Sequence, residues 1–189
     1  MTTRTTVANG LDELRLALAS DRAFEAWYER TLPRVYAYLF SRCGRDATLA
    51  EELSQQTFIA AVDQRARYDG RSDVVTWLCG IARHKLADYF RAVEREERRQ
   101  MRLEIRQIRM DAAAAPAMVT ALDNRAAIGD ALRSLPAAQR AVLAFVVLDD
   151  LPVVEAARLM GKSASATQSL LHRARTNFAR AYDGEPSDD

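Results

Sequence analysis

Basic residues are concentrated in one stretch of this chain, in a pattern that suits phosphate binding. Between Arg83 and Arg109 there are nine basic and five acidic residues. On a helical wheel of about 100° per residue, the cationic side chains gather opposite an apolar stripe. They are His84, Arg91, Arg95, Arg98 and Arg102. Arginines on one face can contact a nucleic-acid backbone, although a solvated helix with ordinary intrahelical ion pairs gives the same pattern.

A second group of polar side chains begins after Pro152, in PVVEAARLMGKSASATQSLLHRARTNFARAY. Ala157, Gly161 and Thr167 have the spacing of a helix-turn-helix, with a glycine in the turn and a second helix from about Ala164. That helix leaves polar residues for a DNA groove, namely Ser165, Gln168, Ser169, His172, Arg173 and Thr176. Such side chains hydrogen-bond base edges or phosphates. A small helical bundle that packs on a protein is the alternative interpretation.

Acidic residues mark a third candidate surface. The segment from Asp46 to Gln64 contains four acids and no base. Its apolar residues are expected to point inward, and they are Leu49, Leu53, Phe58, Ile59 and Val62. The segment therefore predicts a helix with an acidic outer face.

Catalytic and metal chemistry have little support in the sequence. Cys43 and Cys79 stand 36 positions apart without a CxxC motif, and the only histidines are His84 and His172. No Gly-rich phosphate loop is present, and no carboxylate pair stands beside a nucleophile. We expect no enzyme activity, no metal, no cofactor and no small-molecule substrate.

Length and composition indicate one ordinary globular domain or two small ones. The chain has 189 residues, of which 49% are apolar and 28% charged, with a net charge of +1. No stretch approaches the roughly 18 apolar residues of a membrane span, and the start, MTTRTTVANG, is polar. We expect a cytoplasmic protein that does not enter the membrane.

Helical periodicity predicts an all-α fold for the elements that position these residues. One helix is expected from Phe24 to Phe40, a second from Asp46 to Arg65, and a long one from Val74 past Arg99. Between the last two, YDGRSD reads as a loop in which Asp or Ser caps the next helix. The helix-turn-helix is the last predicted folded element, and we expect its two helices to be short.

A break in composition after Arg109, DAAAAPAM, predicts a flexible linker between two small helical domains. The expected organisation is an N-terminal extension (1–21), a first domain (22–109), the linker (110–126), a second domain (127–182) and a tail (183–189).

Three motifs in this order resemble the extracytoplasmic-function (ECF) group of bacterial RNA polymerase sigma factors, over residues 22–182. They are AEELSQQTFIAAV, YDGRSDVVTWLCGIARHKLADYFR and LPAAQRAVLAFVVLDDLPVVEAARLMGKSASATQSLLHRAR. The resemblance implies an all-α protein with a region 2 bundle and a region 4 helix-turn-helix. It implies an alternative sigma factor that directs promoter recognition, DNA melting and transcription initiation. The implied partners are the polymerase core, through its clamp coiled coil and flap, promoter DNA and an anti-sigma factor.

Site residues carried over from the family fall on three surfaces. Docking on the clamp is implied for Glu52, Gln55 and Gln56. Recognition of the minus-ten element is implied for Tyr68, Gly70, Ser72, Arg83, His84, Arg91, Arg95 and Arg98. Recognition of the minus-thirty-five element is implied for Ser165, Gln168, Ser169, His172 and Arg173.

Several positions depart from the family pattern. His84 replaces a usual Asn, and Gln168 and Leu170 each replace a usual basic residue, which predicts weak upstream contact. Trp77 either packs against the first helix or touches DNA. Two other functions stay open, a sigma-like protein that titrates an anti-sigma factor and a helix-turn-helix regulator that acts alone.

Overall fold

The computed structural model describes residues 10–107 and 124–183, and over these ranges the chain is helical with no β-strand. Its helices are α1 (Gly10–Ala17), α2 (Asp21–Arg42), α3 (Ala47–Asp63), α4 (Val74–Gln107), α5 (Asn124–Ser134), α6 (Ala137–Leu143), α7 (Val153–Met160) and α8 (Ala164–Asp183). A 3-10 turn (Arg65–Arg67) and a π-helical turn (Ala144–Leu148) complete the regular structure. The predicted all-α fold is confirmed. Most of the predicted linker and nearly all of the predicted tail lie outside the described residues.

Short polar residues and glycine set the ends of the functional helices. The Asp73 carboxylate accepts the Val75 N–H at 3.0 Å and so caps α4, as the sequence predicts. The Ser163 hydroxyl oxygen accepts the Ala166 N–H at 3.1 Å at the start of α8. Gly161 ends α7 in the left-handed conformation with φ +64°, which glycine adopts without a Cβ clash. The predicted helix-turn-helix is therefore present.

The described residues form two compact units, and α4 contributes to both. The first contains residues 10–41 and 47–85. Its core includes Trp27, Leu39, Leu53 and Leu78, each 2% exposed or less. The Trp27 and Phe58 rings meet edge to face with centroids 5.4 Å apart, an arrangement that adds about 0.5–1.5 kcal/mol to the apolar burial. This packing holds α2 against α3.

The second unit contains residues 42–46, 86–107 and 124–183. In it, α8 packs against α5, α6 and α7. Phe145 is fully buried and its ring lies 6.5 Å from that of Phe90 on α4. Two acids of α4 also bind this unit, because Glu94 accepts a hydrogen bond from Lys162 at 2.7 Å and Glu97 from the Ala137 N–H at 3.0 Å.

Helix α1 lies within the predicted N-terminal extension. Two local expectations were wrong. Helix α8 has 20 residues rather than being short. Ile59, expected to point inward, is 65% exposed. It lies about 200° around α3 from both Thr57 and Ala61, which are fully buried, so it falls on the opposite side of the helix.

Candidate nucleic-acid and protein interfaces

The outer face of α3 presents the three residues assigned to polymerase docking. Glu52 and Gln55 are exposed, and Gln56 is half-buried. The Gln56 amide donates to the Glu52 carboxylate at 3.0 Å, one helical turn away. Since Glu51 beside them is exposed too, this face is polar and acidic, as predicted.

An apolar groove of about 420 Å³ borders this docking face. Its lining residues come from α2 and α3 and are Phe24, Tyr28, Gln55, Phe58, Ile59, Val62 and Asp63. Gln55 therefore belongs to both the acidic face and the groove. Sequence reasoning did not predict that Ile59 is a surface residue. Its position on the side of α3 opposite the small and polar residues that the helix buries could have indicated this exposure.

The loop between the 3-10 turn and α4 is braced from inside by Tyr68. Its side chain is 3% exposed, and its hydroxyl donates to the Ser72 carbonyl at 2.6 Å. Burial raises the pKa of the Tyr68 phenol, and the nearby carboxylates of Asp73, Glu13 and Asp69 raise it further. The hydroxyl therefore remains a proton donor at neutral pH. Tyr68 shapes the loop, whereas Gly70 and Ser72 are half-buried on it.

Trp77 lies against this same tyrosine. The two ring centroids are 4.8 Å apart and the Trp77 side chain is half-buried. The sequence left open whether Trp77 packs on the first helix or touches DNA, and the structure gives Tyr68 as its ring partner. The pair joins the loop to the first turn of α4.

Helix α4 presents its predicted cationic face to solvent. His84, Arg91, Arg95 and Arg98 are exposed, and Arg83 is half-buried. Arg98 pairs with Glu94 at 2.7 Å and Arg91 pairs with Asp88, so the ion pairs of a solvated helix are present. Arg95 has no carboxylate partner within the described residues. Exposed pairs of this kind contribute only about 0–1 kcal/mol, so a phosphate can compete for these arginines.

The helix-turn-helix places its polar row on one exposed face of α8. All five residues assigned to upstream recognition are exposed, and they are Ser165, Gln168, Ser169, His172 and Arg173. The opposite stripe is buried, with Thr167 and Ala174 fully covered and Leu171 4% exposed. Leu170 is also buried, at 7% exposure, so its effect on upstream contact was misjudged. It packs in the unit and cannot replace a DNA-facing cation.

Among residues 10–107 and 124–183, no three His, Cys, Asp or Glu side chains are grouped so as to hold a metal ion. In the same ranges, no helix combines the length and apolar character that crossing a bilayer requires.

Comparison with known proteins identifies both halves of the chain. Sigma-70 region 2 matches residues 27–96, and Sigma-70 region 4 matches residues 125–178. The ECF RNA polymerase sigma factor BldN of Streptomyces coelicolor is 34% identical over 166 residues, covering 84% of this chain and 60% of BldN. The ECF sigma factor SigD of Mycobacterium bovis is 32% identical over 164 residues, covering 84% of this chain and 76% of SigD.

The solved structures that match this chain include complexes of sigma factors with other proteins. RpoE in complex with the anti-sigma factor NepR from Bartonella quintana is 23% identical, with 87% of this chain and 99% of that chain covered and a TM-score of 0.49. BldN in the RsbN–BldN complex is 27% identical, with 89% and 97% covered and a TM-score of 0.37. The family assignment rests on the sequence matches, and by these the chain belongs to the ECF group of RNA polymerase sigma factors.

Proposed function

We propose that this chain binds the core of RNA polymerase and directs promoter recognition, DNA melting and transcription initiation, without catalysing a reaction of its own. The observation that supports this best is the exposed polar row on α8, in a region 4 match, on the same chain as a region 2 match. A groove-reading helix and a strand-opening domain are needed together for initiation and not for simple repression.

Each candidate surface has a part in the proposal. The acidic face of α3, with Glu52, Gln55 and Gln56, docks on the clamp coiled coil. The loop that starts at Tyr68 takes a flipped base of the minus-ten element, and the arginines of α4 hold the adjoining phosphates. Capture of an unstacked base costs a few kcal/mol, which an already opened duplex lowers. The α8 row reads the minus-thirty-five element.

Domain limits, partners and location belong to the same proposal. Residues 22–109 and 127–182 are the two working domains, joined by the segment between them. The working partners are the polymerase core and promoter DNA, and the site of action is therefore the cytoplasm. RpoE is found with an anti-sigma factor, and an inhibitory partner for this chain stays a prediction.

Core binding tests the proposal most directly. We expect the triple variant Glu52→Lys, Gln55→Arg, Gln56→Arg to lose co-purification with core polymerase and run-off transcription. Substitutions on an exposed helix face each change stability by about 0.5 kcal/mol or less, so its thermal unfolding should match wild type.

A charge-matched control separates docking from general electrostatics. Glu25→Lys with Glu29→Lys alters two exposed residues of α2 and adds the same four positive charges. This control should retain core binding. If the triple variant co-purifies with core polymerase at the wild-type yield, the docking assignment is wrong.

A further inference from the structure

The second compact unit combines segments of both family matches. It contains residues 42–46 and 86–96 of the Sigma-70 region 2 match together with residues 125–178, the region 4 match. The turn between α2 and α3 and the C-terminal part of α4 are thus packed with the helices that present the minus-thirty-five reader. Contacts inside this unit therefore limit how far two DNA-reading segments of the chain can separate.

Two acids of α4 make polar contacts with the region 4 segment. The Glu94 carboxylate accepts a hydrogen bond at 2.7 Å from Lys162, which lies in the turn of the helix-turn-helix, and the two side chains are 15% and 18% exposed. The Glu97 carboxylate accepts the Ala137 N–H at 3.0 Å. Pro136 precedes α6 and has no side chain that can cap it, so Glu97 supplies this cap from α4.

The turn between α2 and α3 contacts the same segment at close range. Arg42 pairs with Asp149 at 2.6 Å, and the Arg133 guanidinium donates to the Gly44 carbonyl. A Cβ built on Gly129 of α5 would lie 3.0 Å from that carbonyl oxygen, which is closer than ordinary van der Waals contact. Glycine at position 129 therefore allows α5 to lie against the turn.

An aromatic contact is buried beside these polar ones. Phe90 of α4 is 2% exposed and Phe145 is fully buried, so separating α4 from the region 4 segment would expose both rings to water. This apolar burial favours the packed arrangement in the free chain. The partly buried ion pairs fix its geometry more than they stabilise it, because desolvation offsets much of their attraction. A partner that binds the separated arrangement more tightly can therefore shift the equilibrium.

The packed arrangement is too short to span a promoter. Arg98, assigned to the minus-ten element, pairs at 2.7 Å with the same Glu94 oxygen that Lys162 contacts. Lys162 precedes α8 by two residues, so side-chain reach and about 3.8 Å per residue place the Arg98 guanidinium within about 20 Å of the start of α8. Helix α8 itself is only about 30 Å long. The two elements lie about 25 base pairs apart, which at about 3.4 Å each is about 85 Å.

We propose that these contacts form an autoinhibitory latch, which restricts the free chain to one promoter element at a time and opens when the chain binds core polymerase. The latch is defined by the Glu94–Lys162 pair, the Glu97 cap on Ala137 and the approach of Gly129 to the turn. Its inhibitory role rests on the proposed function. The packed arrangement itself is tested without DNA.

Energy transfer between two dyes reports whether the latch is closed. The dyes are attached to Met101→Cys on α4 and Ala166→Cys on α8, both at exposed positions, in a Cys79→Ser background that leaves only the buried Cys43. We expect high transfer in the free chain. Addition of core polymerase should lower the transfer, because the readers must then separate by tens of ångströms to reach both elements.

A charge-neutral variant of the latch should open the free chain. Glu94→Gln with Glu97→Gln removes both acids, and we expect a larger fraction of molecules with low transfer before core is added. Asp88→Asn with Glu96→Gln is the matched control, since it removes the same two charges from exposed positions of α4 and breaks two ion pairs within that helix. The control should keep high transfer.

A steric variant tests the latch without changing any charge. Gly129→Ala places a methyl group against the Gly44 carbonyl, and it too should lower the transfer in the free chain. Gly80→Ala is its control, because a Cβ there meets nothing within 4 Å. Circular dichroism should show the same helix content in all variants.

Binding of the free chain to promoter forks tests the consequence for DNA. One fork carries both elements of a promoter that the holoenzyme transcribes, and in the other the minus-thirty-five element is scrambled. The unaltered free chain should bind the two forks nearly equally. Glu94→Gln with Glu97→Gln should prefer the complete fork by about tenfold or more, because its second contact is intramolecular. The ratio cancels any gain from releasing Arg98, since both forks share the minus-ten strand.

Transfer that stays as high in both opening variants as in the unaltered chain would overturn the latch. Low transfer in the unaltered free chain, or high transfer that persists on core polymerase, would overturn it as well. Equal binding of the two forks by the opened variant would refute the inhibitory role while the proposed function stands. If the holoenzyme transcribes no promoter, the proposed function fails, and the inhibitory role fails with it even where transfer shows a closed chain.

Discussion

Among individual side chains, Cys43 has the most altered chemistry. The pKa of its thiol is raised from the usual 9.0 to about 12, mainly by burial and also by the charge of Asp46, while Arg140 and Arg42 oppose the rise. Because the pKa in the folded state lies above that in the unfolded state, the stabilisation is complete below about pH 9 and is lost as the pH rises towards 12. The native thiol stays protonated and unreactive at neutral pH.

Urea unfolding between pH 8 and about 11 tests this prediction. Wild type should lose stability across the range, and Cys43→Ala should lose less, whatever offset its smaller side chain introduces. Cys79→Ala, at a half-buried position on α4, serves as the control and should follow wild type. Parallel curves for wild type and Cys43→Ala would show that the thiol does not titrate in this window.

The Arg42–Asp149 pair is the ion pair on which we expect stability to depend. The guanidinium lies 2.6 Å from the carboxylate, and the two side chains are 14% and 1% exposed. Arg42 also donates to the Leu148 carbonyl at 2.9 Å. Asp149→Ala removes the carboxylate from a largely buried ion pair, which we expect to cost about 3 kcal/mol in urea unfolding. Asp88→Ala breaks the exposed pair with Arg91 and should lower the free energy of unfolding by about 0.5 kcal/mol or less. Equal losses of stability in the two variants would contradict the prediction that the buried pair contributes more.

At the scale of the helices, the turn between α7 and α8 requires a left-handed backbone conformation at Gly161, although there is room for a side chain there. A Cβ built on Gly161 meets nothing within 4 Å, but φ is +64°. Gly161→Ala should therefore destabilise the chain by about 1–2 kcal/mol through the left-handed conformation alone. Gly161→Asn should lose less, since Asn tolerates this region. Thermal unfolding measures both, and equal losses would point to a steric cause.

Helix α8 offers a test of base reading at Gln168. Glutamine bonds adenine through its amide, whereas arginine favours guanine, so Gln168→Arg should shift the selected base by about 1–3 kcal/mol of discrimination. Ala166→Arg adds the same charge at another exposed position of α8. Selection from randomised upstream elements should give a changed consensus only for Gln168→Arg. An identical consensus for both would mean that position 168 does not face the bases.

For the chain as a whole, DNA affinity should be the sum of contacts on separate elements. Arg91→Ala with Arg95→Ala should lower the salt slope of holoenzyme on a fork by about 1.4, and Arg173→Ala should lower it by about 0.9 on the duplex. The combined variant should lose both contributions to the salt slope, because the effects of mutations at distant sites are additive. Permanganate footprints of the opened strand should show less salt sensitivity for Arg91→Ala with Arg95→Ala. Unchanged footprints would contradict the role of α4.

Local pattern was enough to predict most of the helices, although it missed α1, the length of α8 and the exposed position of Ile59 on α3. Sequence patterns predicted the all-α fold, a cap by Asp or Ser before α4, the start of α8 near Ala164 and the glycine turn at Gly161. They also predicted which residues of α8 share one exposed face. These features depend on periodicity and on neighbours within one or two helical turns, and such information is present in any short stretch of chain.

Which surfaces are covered follows from tertiary packing, because burial depends on residues far apart in sequence. Ile59 and Leu170 are both apolar, yet Ile59 is exposed and Leu170 is packed. Tyr68 is turned inward by its bond to Ser72 and its contact with Trp77. Leu14 and Arg15 of helix α1 line a pocket together with Arg65, and Glu94 binds Lys162 across 68 positions of chain. No local periodicity encodes such contacts, since they form only when the helices pack together.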